Sequence, residues 1–152
     1  MRIRCMKRTV LSLAVLTAIH TGAAYANPNG AQVVNGQVSI NQVSGMTTIT
    51  NSPGAIINWQ NFSIAQGEVT KFIQQSSQSA VLNRVIGTNA SQIMGQLISN
   101  GHVFLINPNG ILFGAGSLID TQGFMASTLS ISDQDFQSGN YHFIAGSGAG
   151  NI

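Results

Sequence analysis

The chain has 152 residues, of which only 7% are charged and 43% hydrophobic, with 17 glycines, one cysteine and a formal net charge of +2. That composition excludes a disordered charged tail, which needs low hydrophobicity and high net charge. It also excludes a coiled coil, whose e and g positions need charges, and a disulfide-stapled mini-protein, while the length allows about one domain with its own core.

The leading segment carries most of the positive charge. Arg2, Arg4, Lys7 and Arg8 precede an apolar run from Thr9 to Ile19, and Ala24-Tyr25-Ala26 follows. A basic start, a short apolar stretch and a small-residue site make a secretory signal, predicted to span residues 1–26 with Ala24 and Ala26 at the cleavage site. The apolar run is too short to span a bilayer. Cys5 lies ahead of that run, which argues against a lipoprotein anchor. Removal of residues 1–26 leaves two basic side chains, Lys71 and Arg84, against four acidic ones, Glu68, Asp120, Asp133 and Asp135, a formal charge of −2. Two cations cannot form a nucleic-acid footprint, so no nucleic-acid partner is expected. The remaining chain has no cysteine, which permits passage through an oxidising periplasm without disulfides but does not by itself establish that route.

From residue 27 onward Asn, Gln, Ser, Thr and Gly alternate with Val, Ile, Leu and Phe. The regular placing of the aliphatics argues against a prion-like polar tract. Gln37–Ile40, Thr47–Thr50 and Ile57–Trp59 alternate with period two, while Ala80–Leu82, His102–Ile106 and Ile111–Phe113 are short apolar runs between turn residues; both patterns predict strands. Asn29-Gly30, Asn35-Gly36, Ser44-Gly45, Pro53-Gly54, Asn100-Gly101, Asn109-Gly110 and Gly139-Asn140 predict reversals or corners. Ser91–Ile98 has helix-like apolar spacing, but Gly95 and its short length favour a strand. Two all-β architectures fit these elements: an antiparallel sandwich or barrel, and a parallel solenoid. The scarcity of charge favours the solenoid, because stacked turns place like residues over one another and neutral amides bond along the stack without repulsion. At roughly 20–25 residues per turn, residues 27–152 would hold about five turns.

Asn107-Pro108-Asn109-Gly110-Ile111 stands between two strand-like runs. The first Asn caps backbone N–H groups, Pro presets φ, and Gly at the fourth position completes a type I turn. Asn27-Pro28-Asn29-Gly30 repeats the tetrapeptide without a preceding strand-like run. The longer context is more specific. Ala55–Ile64, Ala80–Val85, Gly101–Ile111 and Gly123–Thr128 occur in the same order as in the N-terminal secretion domain of filamentous haemagglutinins and high-molecular-weight adhesins, the exoproteins of bacterial two-partner secretion. Over roughly residues 30–145 the chain resembles that domain. The segment Asn83-Arg84-Val85 makes it most similar to the adhesin branch, and the Asn-Pro-Asn-Leu motif of the haemagglutinin branch is absent.

The resemblance implies a right-handed parallel β-helix with an N-terminal cap and extra-helical antiparallel strands. It implies a targeting role. The Sec machinery reads the signal, an outer-membrane β-barrel transporter with periplasmic domains recognises the largely unfolded chain, and the β-helix forms at the surface of a Gram-negative cell. Asn107, Pro108, Asn109, Gly110 and Ile111 are the first candidates for transporter recognition, with a structural corner as the competing reading. Asn83, Arg84 and Val85 are the second, with Arg84 tying down loop carbonyls as the alternative. Trp59 and Phe62 read as packing residues. No cofactor or metal is implied. A free-standing secreted adhesin and a polysaccharide-active β-helix enzyme are the alternatives. Catalysis needs clustered carboxylates with a metal or base, and Asp133 and Asp135, the one near pair, would share a strand face without companions. His102 and His142 read as strand residues. The ending at Gly148–Ile152 resembles a solenoid cut in mid-course, so the domain 27–152 is expected to be truncated at its C-terminal end, and host-cell binding is assigned to missing downstream sequence.

Overall fold

The computed structural model of the chain describes residues 27–146 and 150–152. The predicted signal, with Cys5, Ala24 and Ala26, lies outside the described residues. The described chain is a parallel β-helix of about four turns. Strands β1 (Gln32–Asn35) and β2 (Val38–Val43) form an N-terminal cap. The first turn then runs through β3 (Met46–Asn51), β4 (Ala55–Trp59) and the single bridge residue Ile64. The second contains β5 (Val69–Gln74), β6 (Ala80–Val85) and β7 (Ser91–Ile93). The third contains β8 (Gln96–Ser99), β9 (His102–Ile106) and β10 (Ile111–Phe113). The fourth contains β11 (Leu118–Asp120) and β12 (Gly123–Ser127).

These strands build three faces. β4, β6, β9 and β12 stack in parallel, with β1 antiparallel on β4. β3, β5, β8 and β11 form the second sheet, with β2 antiparallel on β3. β7 and β10 make the third. Met46, Val69, Gln96 and Leu118 occupy one register position, so successive turns take 23, 27 and 22 residues. The expectation of about five turns is corrected to about four. Residues 27–45 form the approach and cap, and residues after Ser127 leave the helix as β13 (Ser130–Ile131), α1 (Asp133–Ser138) and β14 (Phe143–Ile144).

Alternation along the strands creates two cores. Ile57 and Trp59 of β4, Val81 and Val85 of β6, and Val103 and Leu105 of β9 point into the helix, where Ile49, Phe72, Ile93 and Leu97 meet them. The residues between them, Ile56, Leu82, Phe104 and Ile106, point out of the same sheet and are covered by Ile131, Phe136 and Phe143. The antiparallel pair β13–β14 and helix α1 therefore close over the outer face. Phe104 packs edge-on against Phe136 at 5.3 Å between centroids.

The segment Ser91–Ile98 is extended as expected but forms two strands, β7 and β8, divided at Met94-Gly95. Space dictates that corner. A Cβ on Gly95 would strike the carbonyl oxygens of Glu68 and Ala65. In six of the seven predicted glycine turns φ is positive; the exception, Gly101, is small because Gln74 and the Ser79 carbonyl lie against it. The corner beside it is closed by Asn100, whose carboxamide accepts from the Gln74 N–H and donates to the Gln74 carbonyl, both at 2.8 Å, imitating a strand partner.

Gly95→Ala is expected to lower stability by about 1–3 kcal/mol through overpacking. Gly116→Ala, where an added Cβ meets nothing within 4 Å, should stay within about 0.5 kcal/mol of the parent. Urea-unfolding midpoints of the two variants check the difference.

Candidate functional site

Asn107 follows β9 and begins a four-residue turn closed by the Gly110 N–H donating to its carbonyl at 3.1 Å. Its side chain is fully buried. The Oδ1 accepts from the backbone N–H and the Nδ2 of Asn109, each at 3.0 Å. The Nδ2 donates to the Asn89 carbonyl at 3.0 Å and to the Ser91 hydroxyl at 2.9 Å. All the bonding capacity of this amide is thus occupied within the fold. Pro108 is half-buried at the second turn position, where its missing N–H leaves nothing unpaired. Gly110 is buried with φ +114°, a region that L side chains rarely adopt. Ile111 opens β10 and points into the helix core. Asn109 alone of the five is exposed, and its Nδ2 reaches the Gly87 carbonyl at 2.8 Å. The Gly150 N–H donates to the Pro108 carbonyl at 2.8 Å and the Asn151 carbonyl accepts from Ile111 at 3.0 Å.

Asn83, Arg84 and Val85 end β6. Asn83 points inward with no exposure. Its Oδ1 accepts from the Trp59 indole at 2.9 Å and its Nδ2 donates to the Phe104 carbonyl at 3.3 Å. Arg84 points outward. Its Nη2 donates to the Ile131 carbonyl at 2.9 Å and to Asp133 at 2.7 Å, and its Nη1 reaches Asn58 at 3.4 Å. It therefore clamps the β13–α1 cover onto the sheet. Val85 packs in the helix core.

The two motifs are neighbours. In the β6–β9 register Arg84 lies opposite Ile106, and Asn109 bonds to Gly87 just beyond the second motif. A line of amides extends this contact. Asn89 donates to Asn61 at 2.9 Å, and Asn61 donates to Asn29 at 3.3 Å. The earlier Asn-Pro-Asn-Gly copy thus stands at the head of the same corner that the second copy ends. Sequence reasoning did not single out Asn61 or Asn89. The steps along the corner are 32, 28 and 18 residues, so no fixed period exposes them.

Trp59 and Phe62 are buried and meet edge-on at 5.6 Å. Asp133 and Asp135 correct an expectation: they lie in the first turn of α1, not on a strand face. Asp135 exchanges bonds with the N-cap Ser132, whose hydroxyl accepts from the Asp135 N–H at 3.0 Å. His102 is in β9, whereas His142 precedes β14 instead of lying in a strand. Among the described residues no three His, Cys, Asp or Glu side chains gather as a metal site.

A family model described as TPS secretion domain matches residues 24–152. A heme/hemopexin-binding protein of Haemophilus influenzae strain ATCC 51907 / DSM 11121 / KW20 / Rd is 40% identical over 127 residues, which cover 80% of this chain and 14% of that protein. A second Haemophilus influenzae protein of the same name is 39% identical over 143 residues, covering 90% of this chain and 15% of its own. The chain therefore spans about one seventh of the length of these relatives. The crystal structure of the HMW1 secretion domain from Haemophilus influenzae superposes with a TM-score of 0.75 at 46% identity, over 77% of this chain and 32% of that one.

Asn83→Leu keeps the branching at Cγ but leaves the buried Trp59 indole without its acceptor, an expected loss of about 1–3 kcal/mol. Trp59→Phe in the same chain should recover part of that loss. A double-mutant cycle by chemical unfolding, followed by circular dichroism, measures the coupling.

Proposed function

The chain belongs to the TPS secretion-domain family, and we propose that it addresses its exoprotein to an outer-membrane β-barrel transporter while unfolded, then seeds β-helix folding outside the cell. The domain is a secretion-targeting domain of a two-partner-secretion exoprotein. The finer route is our reading: the segment 1–26 acts as a Sec signal cleaved after Ala26, and the transporter's periplasmic domains read residues 107–111, aided by 83–85. The binding of heme or hemopexin belongs to the relatives that carry those names.

One observation carries this reading. Asn107 and Asn83, one amide from each motif, are completely buried and bonded in the folded domain. A partner that reads their side chains reads a chain that has not folded. Low charge and the absence of cysteine after residue 26 suit passage in that state. Outside, burial of the aliphatic columns stabilises only the exported part and opposes return. Addressing requires no catalysis. The carboxylates nearest one another support that view, since Asp133 is paired with Arg84 and Asp135 accepts from the hydroxyl of Ser132, the N-cap of α1.

Asn109 separates recognition from structure. Its amide is exposed, so Asn109→Ala is expected to reduce stability by at most about 1 kcal/mol. With a co-expressed transporter, secretion should nevertheless fall several-fold. Asn107→Ala should lower both secretion and stability. Wild-type secretion of Asn109→Ala would remove this motif from recognition, and transporter-independent secretion of the parent chain would remove the route itself.

A further inference from the structure

The first turn contributes only Ile64 to the third face, and neither capping strand pairs there. A notch of about 670 Å³ opens at this place, within the range of small-ligand sites. Asn29, Asn61 and Asn89 stand where the third-face segments begin, Met94 and Gly114 where they finish. No charged or aromatic side chain lines it. The Oδ1 of Asn27 is buried beside it with no donor among the described residues, a state that a ligand hydroxyl or N–H would relieve. The side chains of Gln66 and Gln92 are exposed in it.

We propose that this notch binds a short neutral oligosaccharide. A charged ligand would find no counter-charge there. A peptide gains most of its affinity on a β protein by pairing with a strand edge. At Ile64, the bridge residue of the first turn, the backbone is already engaged: its N–H donates to Gln92 and its carbonyl accepts from Met94, while β7 pairs with β10. Six carboxamide side chains line the notch. Each carboxamide offers a donor and an acceptor together, the combination a sugar hydroxyl needs. Ala90, Ala115 and Met94 supply small apolar surfaces for the C–H face of a ring. Without an aromatic platform, binding is expected near 1 mM, roughly the weak end of specific recognition.

Saturation-transfer NMR on the purified secreted chain tests this, with cellotriose and triacetylchitotriose as sugar probes and trialanine amide as the peptide probe. Transfer to at least one sugar is expected, weakened about tenfold by Gln92→Ala, the value of one hydrogen bond. Ala90→Trp, an exposed position, should fill the notch and abolish transfer while circular dichroism stays unchanged. Gln66→Ala provides a second surface variant that leaves the core alone. No transfer to either sugar, stronger transfer to the peptide, or sugar transfer that survives Ala90→Trp would overturn the proposal.

Discussion

Parallel stacking fixes what lies above and below every side chain. Neighbouring strands run about 4.8 Å apart, so each residue faces its register partners at close range for the length of the helix. Aliphatic columns are the simplest solution, and Ala55, Val81, Val103 and Phe124 form one. A charge in such a column would face its neighbours with little solvent between them. Both cations after residue 26 avoid like charge: Lys71 lies between Thr48 and Ile98, and Arg84 between Asn58 and Ile106. Amides meet the same constraint differently, since each donates to one neighbour and accepts from the other. The corner of Asn29, Asn61 and Asn89 is that solution. The low charge of the chain is therefore a consequence of the stack.

Asn83 is a buried amide whose column offers it no partner. Its column partners are Ile57 and Leu105, neither of which can bond to it. The bond comes sideways from Trp59, two residues beyond its register partner Ile57 on the first turn. The indole likewise obtains an acceptor that an aliphatic interior would deny it. One lateral pair thus fixes the register between the first and second turns, because a shift of one residue would turn Asn83 outward and leave the indole unpaired. Arg84, the next residue, performs a related task on the outer face by joining the second turn to Ile131 and Asp133 beyond the fourth.

Much of this was legible in the residues. The alternating and apolar runs at 47–50, 57–59, 80–82, 102–106 and 111–113 lie in strands, and that at 37–40 does so from Val38 onward. β5 was not legible from periodicity, because its polarity is inverted: Thr70 and Gln74 are buried while Ile73 is exposed. The Ser99 hydroxyl and the His102 carbonyl explain this, since both accept from the inward Gln74 side chain. Helix α1 was missed for a local reason. Asp133 and Asp135 alternate like a strand, and only the Ser132 to Asp135 capping bond reveals a helix start. The amide corner was missed because its steps vary with the loops between turns. The motif at 107–111 stood out in sequence as a turn, yet its neighbours Asn89 and Ser91, which hold Asn107, are set by register alone.

Burial of those motifs has an energetic consequence for the proposed route. A partner that binds only the unfolded chain lowers folding stability by mass action, by about 2.7 kcal/mol at one hundred times its Kd. A complete domain, worth roughly 5–15 kcal/mol, would still fold against it. A domain with one or two turns would not, because each turn buries its faces only when the next is laid upon it. The cover adds to this threshold, since Arg84 finds Ile131 and Asp133 only after four turns of chain are available. Phe136 then closes on Phe104, a residue of the third turn. Folding is thus weak until residue 133 is free and strong afterwards. A transporter holding the motifs therefore loses them when the domain is long enough to compete. Release needs no separate signal on this account, because the hydrogen bonds of Asn83 and Asn107 cannot be made to the partner and to the fold at once.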